Sequence, residues 1–190
     1  MIYKAINNFL EVVKNSDIEL YNEAGFQYEL AFYLKEQLGD KFKIQLERNI
    51  QDIIGSKDFT KKELDIYLED LESQEKYCIE LKVPNSYQIP RRMQLSLNDV
   101  AFLESLVYQA GFKAGYFLFL SPNKSFWNAP RADQNIYKYF NSKNVEFQTL
   151  KVEDVPEFIK NDADDKGIVV KLKNKYKEPW LDLKSQGKDY

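Results

Sequence analysis

Two short segments, ELDIYL (residues 63–68) and YCIELKV (residues 77–83), decide how this chain folds. In both, apolar side chains alternate with other residue types, which is the period-two pattern of a β-strand. The acidic stretch between them, residues 69–76, predicts a hairpin loop, and Pro84 ends the second strand. If the two strands pair symmetrically about this loop, Asp65 lies directly opposite Glu80.

The segments on either side of this hairpin predict an α/β fold. Residues 2–13 and 22–38 carry apolar side chains at helical spacing, and residues 44–50 alternate as a strand. Residues 91–110 predict a further helix, and the apolar run 114–120 is typical of a buried central strand. A helix over 132–142 and a strand over 145–149 follow. A helix joins strands 77–83 and 114–120, so we expect a parallel pair and a mixed sheet flanked by helices.

The chain changes character near residue 150. We expect residues 1–150 to form one α/β domain and residues 151–190 to form a lysine-rich C-terminal extension. Within that extension only GIVVKL (residues 167–172) resembles a strand. An accessory hairpin and a partly ordered tail both fit this composition.

The composition excludes several classes of catalytic site. The 190 residues include no histidine, which excludes Ser-His-Asp and Cys-His triads and histidine-bearing zinc sites. The single cysteine, Cys78, excludes a disulfide framework. Any chemistry must therefore depend on carboxylates, lysines or hydroxyls. Because 27 basic residues face 30 acidic ones, contact with nucleic acid requires a local basic patch.

No segment predicts export or membrane insertion. The N-terminal residues are interrupted by Asn and Glu before an apolar run reaches the length of a signal peptide. The run 114–120 is far shorter than the ~20 residues that span a bilayer. We therefore expect a cytoplasmic protein with no membrane partner.

The hairpin brings together residues that could carry chemistry. Glu80 and Lys82 alternate onto one face of their strand, and Asp65 lies across from Glu80 in the predicted register. Like charges directly opposed in a sheet are destabilising, so this arrangement favours a bound cation. Carboxylate oxygens suit Mg²⁺, and a neighbouring ammonium could orient a water molecule or offset charge on a phosphate.

Asp65 followed by Glu80-Leu81-Lys82 resembles the signature of the PD-(D/E)XK nuclease superfamily. The order α-β-β-β-α-β likewise resembles the restriction-endonuclease-like core of that superfamily. The resemblance implies that Asp65 and Glu80 bind Mg²⁺, with Mn²⁺ as a substitute, and that Lys82 assists the attacking water. Many members add a glutamate from the preceding helix. Glu29 is the best match because its neighbours are apolar, and Glu23 is the alternative.

The helix over residues 91–110 adds three further candidates. Gln94 could face the site from the start of this helix, and Arg91 and Arg92 could contact phosphates of a nucleic acid. For both arginines, a solvated helix start is an equal alternative. The sequence departs from the superfamily pattern in two ways: no proline precedes Asp65, and Gln94 is followed four residues later by Asn98 rather than tyrosine.

The resemblance implies a metal-dependent nuclease, and we expect a DNA endonuclease of a restriction, defence or repair type. Cleavage would leave a 5′-phosphate, and a homodimer would supply the two sites that double-strand cutting needs. The alternative is a catalytically silent nuclease-like domain that binds nucleic acid or a protein partner. A third reading treats Glu80 and Lys82 as an ordinary solvated strand face.

Overall fold

The computed structural model describes residues 1–55, 59, 61, 63–84, 88–128, 135–140, 147–149, 170–176, 184–185 and 188–189. The helices in these ranges are α1 (Ile2–Lys14), α2 (Glu23–Leu38), α3 (Ile50–Ile54) and α4 (Ile89–Gln109). The strands are β1 (Phe42–Asn49), β2 (Glu63–Asp70), β3 (Lys76–Lys82), β4 (Ala114–Phe119), β5 (Phe147–Thr149), β6 (Lys171–Tyr176), β7 (Lys184–Ser185) and β8 (Lys188–Asp189). Short 3₁₀ helices span Gly39–Lys41, Lys124–Phe126 and Asn135–Tyr139.

The chain divides into two compact units. The first comprises residues 1–83, 102–120 and 182–190, and the second comprises residues 84–101 and 121–181. The first unit holds the four-stranded sheet, in the order β1-β2-β3-β4. Neighbours β1, β2 and β3 run antiparallel, and β4 runs parallel to β3. The expected mixed α/β fold with a parallel β3–β4 pair is thereby confirmed.

The β2–β3 hairpin has the register that the sequence predicts. Ile66 pairs with Ile79 and Tyr67 pairs with Cys78, so the next residues along both strands are Asp65 and Glu80. The connection is tight because the Asp70 carboxylate accepts hydrogen bonds from the backbone N–H groups of Glu72 and Ser73 at 2.9 and 3.2 Å. This turn fixes which residues of the two strands face one another.

Both faces of the sheet are covered within the first unit. One face packs against α1 and α2 through apolar residues that include Phe9, Phe26, Leu30, Ile66, Leu68, Ile79 and Leu81. The other face packs against the second half of α4 through Tyr67, Cys78, Phe102, Leu103 and Leu106. Consequently several polar positions of β2 and β3 are also covered, and Asp65, Asp70 and Glu80 lose most of their contact with water.

Helix α2 begins where the sequence predicts. Asn22 is its N-cap, and the Asn22 side chain accepts a hydrogen bond from the N–H of Gly25 at 2.7 Å. Helix α3 was not predicted and replaces the end of the strand expected over residues 44–50. It begins after Asn49, whose side chain accepts from the N–H of Gln51, and it ends at Gly55 in the left-handed conformation.

Strand β4 differs from the prediction of a central strand. Among the described strands it is the last in the sheet order, and all of its residues are half-buried. Tyr116 and Leu118 pack with the α1–α2 core, whereas Phe117 packs with the α4 core. The run is therefore apolar because both of its faces are covered by helices, which does not require a second strand beside β4.

The second unit contains an antiparallel pair formed by β5 and β6. Strand β6 lies further along the chain than the strand expected over 167–172, of which residues 167–169 lie outside the described residues. The helix expected over 132–142 is a 3₁₀ helix, Asn135–Tyr139, within the described part of that range. No helix in the described ranges is long and apolar enough to cross a membrane.

Gly115 on β4 lies close to Leu103 of α4 and to Cys78 of β3. A Cβ atom added there would lie 3.0 Å from Cβ of Leu103 and 3.2 Å from Sγ of Cys78, and both neighbours are buried. Gly115→Ala is therefore expected to lower the free energy of unfolding by about 1–3 kcal/mol, measured by urea denaturation. In a Cys78→Ala background the added cost should be smaller, because one of the two clashes is gone. Equal costs in both backgrounds would contradict this packing.

Candidate active site

Asp65 and Glu80 lie where the pairing between β2 and β3 ends. The paired residues end at Ile66 and Ile79, and beyond them the Asp65 carboxylate accepts a hydrogen bond from the N–H of Leu81 at 2.7 Å. The Asp65 side chain thus accepts from a backbone N–H that would otherwise be available for pairing between the strands. Glu80 is 0% exposed and Asp65 is 8% exposed. This burial excludes the reading of Glu80 as part of a solvated strand face.

A lysine that the sequence did not single out bridges the two carboxylates. Nζ of Lys61 forms an ion pair with Oε2 of Glu80 and lies 3.6 Å from Oδ1 of Asp65. The same ammonium lies 5.9 Å from the centroid of the Phe102 ring, which allows a cation–π contact. Among the described residues, the ammonium of Lys61 therefore lies against both carboxylates, at a site where Glu80 is wholly buried.

The helix glutamate at this site is Glu23, the alternative, and not Glu29. Oε1 of Glu23 accepts from Nζ of Lys82 at 3.2 Å, and Oε2 accepts from the N–H of Val83 at 3.4 Å. Glu29 is half-buried and forms no hydrogen bond or ion pair among the described residues. Glu29 lies two residues beyond Gln27, which faces the sheet, and so lies about 200° away around the helix.

Gln27 connects α2 to both β1 and β2. Its Nε2 donates to the backbone carbonyl of Asp65 and to Oε1 of Glu47, the latter at 2.8 Å. Glu47 has a φ of 50°, a left-handed conformation that is uncommon for a residue with a side chain. Its neighbours Leu46 and Arg48 pair regularly with β2, so the distortion is confined to the position next to Asp65. Strained residues of this kind concentrate at functional sites.

Cys78 lies beneath the site, two residues before Glu80 on β3. Burial raises the pKa of its thiol far above the ordinary value, and the negative charge of Glu80 raises it further. A thiol in this environment stays protonated and is a poor nucleophile. The structure therefore agrees with the interpretation of Cys78 as a packing residue.

Arg91, Arg92 and Gln94 lie on the first half of α4, in the second unit. Both arginines are half-buried. Gln94 is 1% exposed, and its carboxamide has no hydrogen-bond partner among the described residues. The roles that the sequence suggested for these three residues stay predictions.

The described residues contain no group of three or more Asp, Glu or Cys side chains arranged around a common metal position. The donor set nevertheless fits a hard divalent cation. Two buried carboxylates converge on one cationic group, and oxygen donors of this type are those that Mg²⁺ and Mn²⁺ prefer. What the arrangement requires chemically is positive charge, and Lys61 supplies it here.

Sequence reasoning missed Lys61, Gln27 and Glu47. Lys61 precedes β2 and belongs to no periodic element, so strand alternation says nothing about it. A signal did exist for α2, because Glu23, Gln27 and Leu30 recur at intervals of four and three residues, the spacing of one helix face. A buried glutamine on that face points to a polar partner on the sheet.

Replacing Gln27 tests whether α2 is fastened to the site by hydrogen bonds. Gln27→Leu keeps the volume but leaves the carbonyl of Asp65 without this donor, so the free energy of unfolding should fall by about 1–3 kcal/mol. Gln37→Leu, at an exposed position on the same helix, is the matched control and should change stability by less than about 0.5 kcal/mol. Urea denaturation of both variants provides the measurement, and equal effects would contradict the assignment.

The chain was compared with protein families, curated proteins and solved structures. No protein-family model, no curated protein and no solved structure matches the chain.

Proposed function

We propose that this chain is a metal-dependent nuclease with a restriction-endonuclease-like core, acting on phosphodiester bonds of nucleic acid and most readily of DNA. One observation carries the proposal: two buried carboxylates, Asp65 and Glu80, oppose each other where a β-hairpin ladder ends, with Lys82 two residues further on. The order α2-β1-β2-β3-α4-β4 of the longer described elements supports the same assignment.

Asp65 and Glu80 are the residues that would hold a divalent cation, Mg²⁺ or its substitute Mn²⁺. When bound, the ion supplies Lewis-acid chemistry for the attack of water on phosphorus. The hydrogen bond from the N–H of Leu81 fixes Oδ2 of Asp65, and the other oxygen, Oδ1, lies 3.6 Å from Nζ of Lys61. Burial strengthens the attraction of the pair for positive charge, because little water screens it.

Lys82 would position the attacking water and offset negative charge on the phosphate. Its ammonium is half-buried and contacts Glu23 at 3.2 Å and the carbonyl of Leu81 at 3.1 Å. These contacts hold a flexible side chain at the carboxyl end of β3. Glu23 is thus a positioning residue for Lys82 in this scheme, and Lys82 is the catalytic one. Water would add to phosphorus as the 3′-oxygen leaves, giving a 5′-phosphate.

A catalytically silent domain that binds nucleic acid or a protein partner is the second candidate. The observation that favours it is Lys61, whose ammonium already pairs with both carboxylates. This site would lack activity if Lys61 replaced the metal permanently, because an ammonium cannot act as a Lewis acid. The net charge of −3 also disfavours strong binding to DNA without a local basic patch.

Cleavage assays test the proposed chemistry. Wild-type protein should nick supercoiled plasmid in Mg²⁺ or Mn²⁺ and not in EDTA, and Asp65→Asn, Glu80→Gln and Lys82→Met should each lower the rate by about 10²-fold or more. Lys113→Met is the matched control, since Lys113 forms only an exposed ion pair with Glu75. Labelled single-stranded and double-stranded DNA and RNA identify the substrate. Wild-type rates in all three variants would refute the assignment.

The two helix glutamates can be separated by the same assay. Glu23→Gln removes the negative partner of Lys82 and should reduce the cleavage rate, with a change in its pH profile because the ammonium loses an ion pair. Glu29→Gln removes an equal charge from the same helix and should leave both rate and pH profile unchanged. A larger loss of cleavage rate in Glu29→Gln than in Glu23→Gln would favour Glu29 as the helix glutamate of the site, as the sequence predicts.

A further inference from the structure

Lys61 is held at the site from three directions. Its ammonium contacts Oε2 of Glu80, lies 3.6 Å from Oδ1 of Asp65 and lies over the ring of Phe102. Phe59, two residues earlier, packs edge-on against the same Phe102 ring with centroids 6.5 Å apart. Two residues of the segment before β2 are therefore anchored on α4, and the lysine projects from this anchor toward the carboxylates.

The charges of Asp65 and Glu80 favour competition between Lys61 and a divalent ion. Two opposed carboxylates repel each other, and removing a bridging cation from a buried pair is strongly unfavourable. One ammonium offsets one of the two charges, whereas a divalent ion offsets both. The ammonium and the ion would compete for the same two carboxylates, so the two cannot bind the pair together at full strength.

The lysine also has a route away from the site. Its side chain is 29% exposed, while Glu80 is wholly buried. Lysine carries its charge on four flexible methylene groups and hydrates strongly, so the ammonium can move into water while its stem stays in place. The packing of Phe59 on Phe102 is a separate contact that does not involve the ammonium of Lys61.

We propose that Lys61 is an exchangeable cation that stabilises the carboxylate pair in the metal-free protein and is displaced when a divalent ion binds. This inference rests on the proposed metal site. It adds a regulatory element to that site. The free energy of metal binding is the free energy gained when the carboxylates bind the ion, less the free energy lost when they release Lys61. The lysine therefore sets the metal concentration at which the site fills.

The test compares the binding of Mn²⁺ to wild-type protein and Lys61→Met, by isothermal titration calorimetry and by the electron paramagnetic resonance signal of free Mn²⁺. Lys61→Met keeps an apolar stem and removes the charge, so the dissociation constant should fall by tenfold or more. In EDTA the variant should unfold at lower urea than wild type, and saturating Mn²⁺ should restore its stability. Lys113→Met, with the same charge change at an exposed pair, should leave the dissociation constant within twofold.

The outcomes separate this inference from the proposed function. Equal or weaker Mn²⁺ binding by Lys61→Met than by wild type overturns the inference while leaving the nuclease assignment intact. Binding by Lys61→Met alone supports the inference and favours the silent domain. Binding by neither overturns both. If Lys61→Met does not fold in EDTA, Lys61→Gln is measured beside it: recovery of folding by Mn²⁺ in either variant supports displacement, and failure in both overturns it.

Discussion

The repulsion between Asp65 and Glu80 is the constraint to which the surrounding structure responds. Both carboxylates are buried at the end of the β2–β3 ladder, where water cannot screen them. The chain offsets this cost with a backbone N–H at Asp65 and with the ammonium of Lys61 between the two side chains. Charged groups are seldom retained in such places for stability alone, since well-packed apolar residues often do as well or better.

Helix α2 and the sheet depend on each other through polar contacts at this same place. Gln27 donates to β1 and β2, and Glu23 accepts from the end of β3, so one helix face reaches three neighbouring strands. Below these contacts Phe26, Leu30 and Leu34 supply the apolar packing. The apolar residues of α2 thus hold the helix against the sheet, and its polar residues orient side chains of the sheet. The contact of Glu23 with Lys82 is of the second kind.

Those parts of the site that depend on strand periodicity could be predicted from the sequence. Those that depend on helix rotation or on irregular backbone could not. The opposition of Asp65 and Glu80 follows from a period of two and a symmetric hairpin, which leave only one register. Choosing between Glu23 and Glu29 requires the rotation of α2 to be known, and the buried Gln27 and Ala31 shift that rotation away from the stripe of largest apolar residues. Lys61 belongs to no periodic element, and the place of β4 in the sheet depends on long-range pairing.

Cys78 gives this architecture a built-in reporter. It is the only cysteine in the chain, it is 0% exposed, and it lies on the strand of Glu80 beneath the second half of α4. A thiol reagent can reach it only when the helix and the sheet separate locally, so the rate of alkylation measures how often that opening occurs. The local opening of β3 can thus be timed by a chemical reaction that needs no substrate, no metal and no added label.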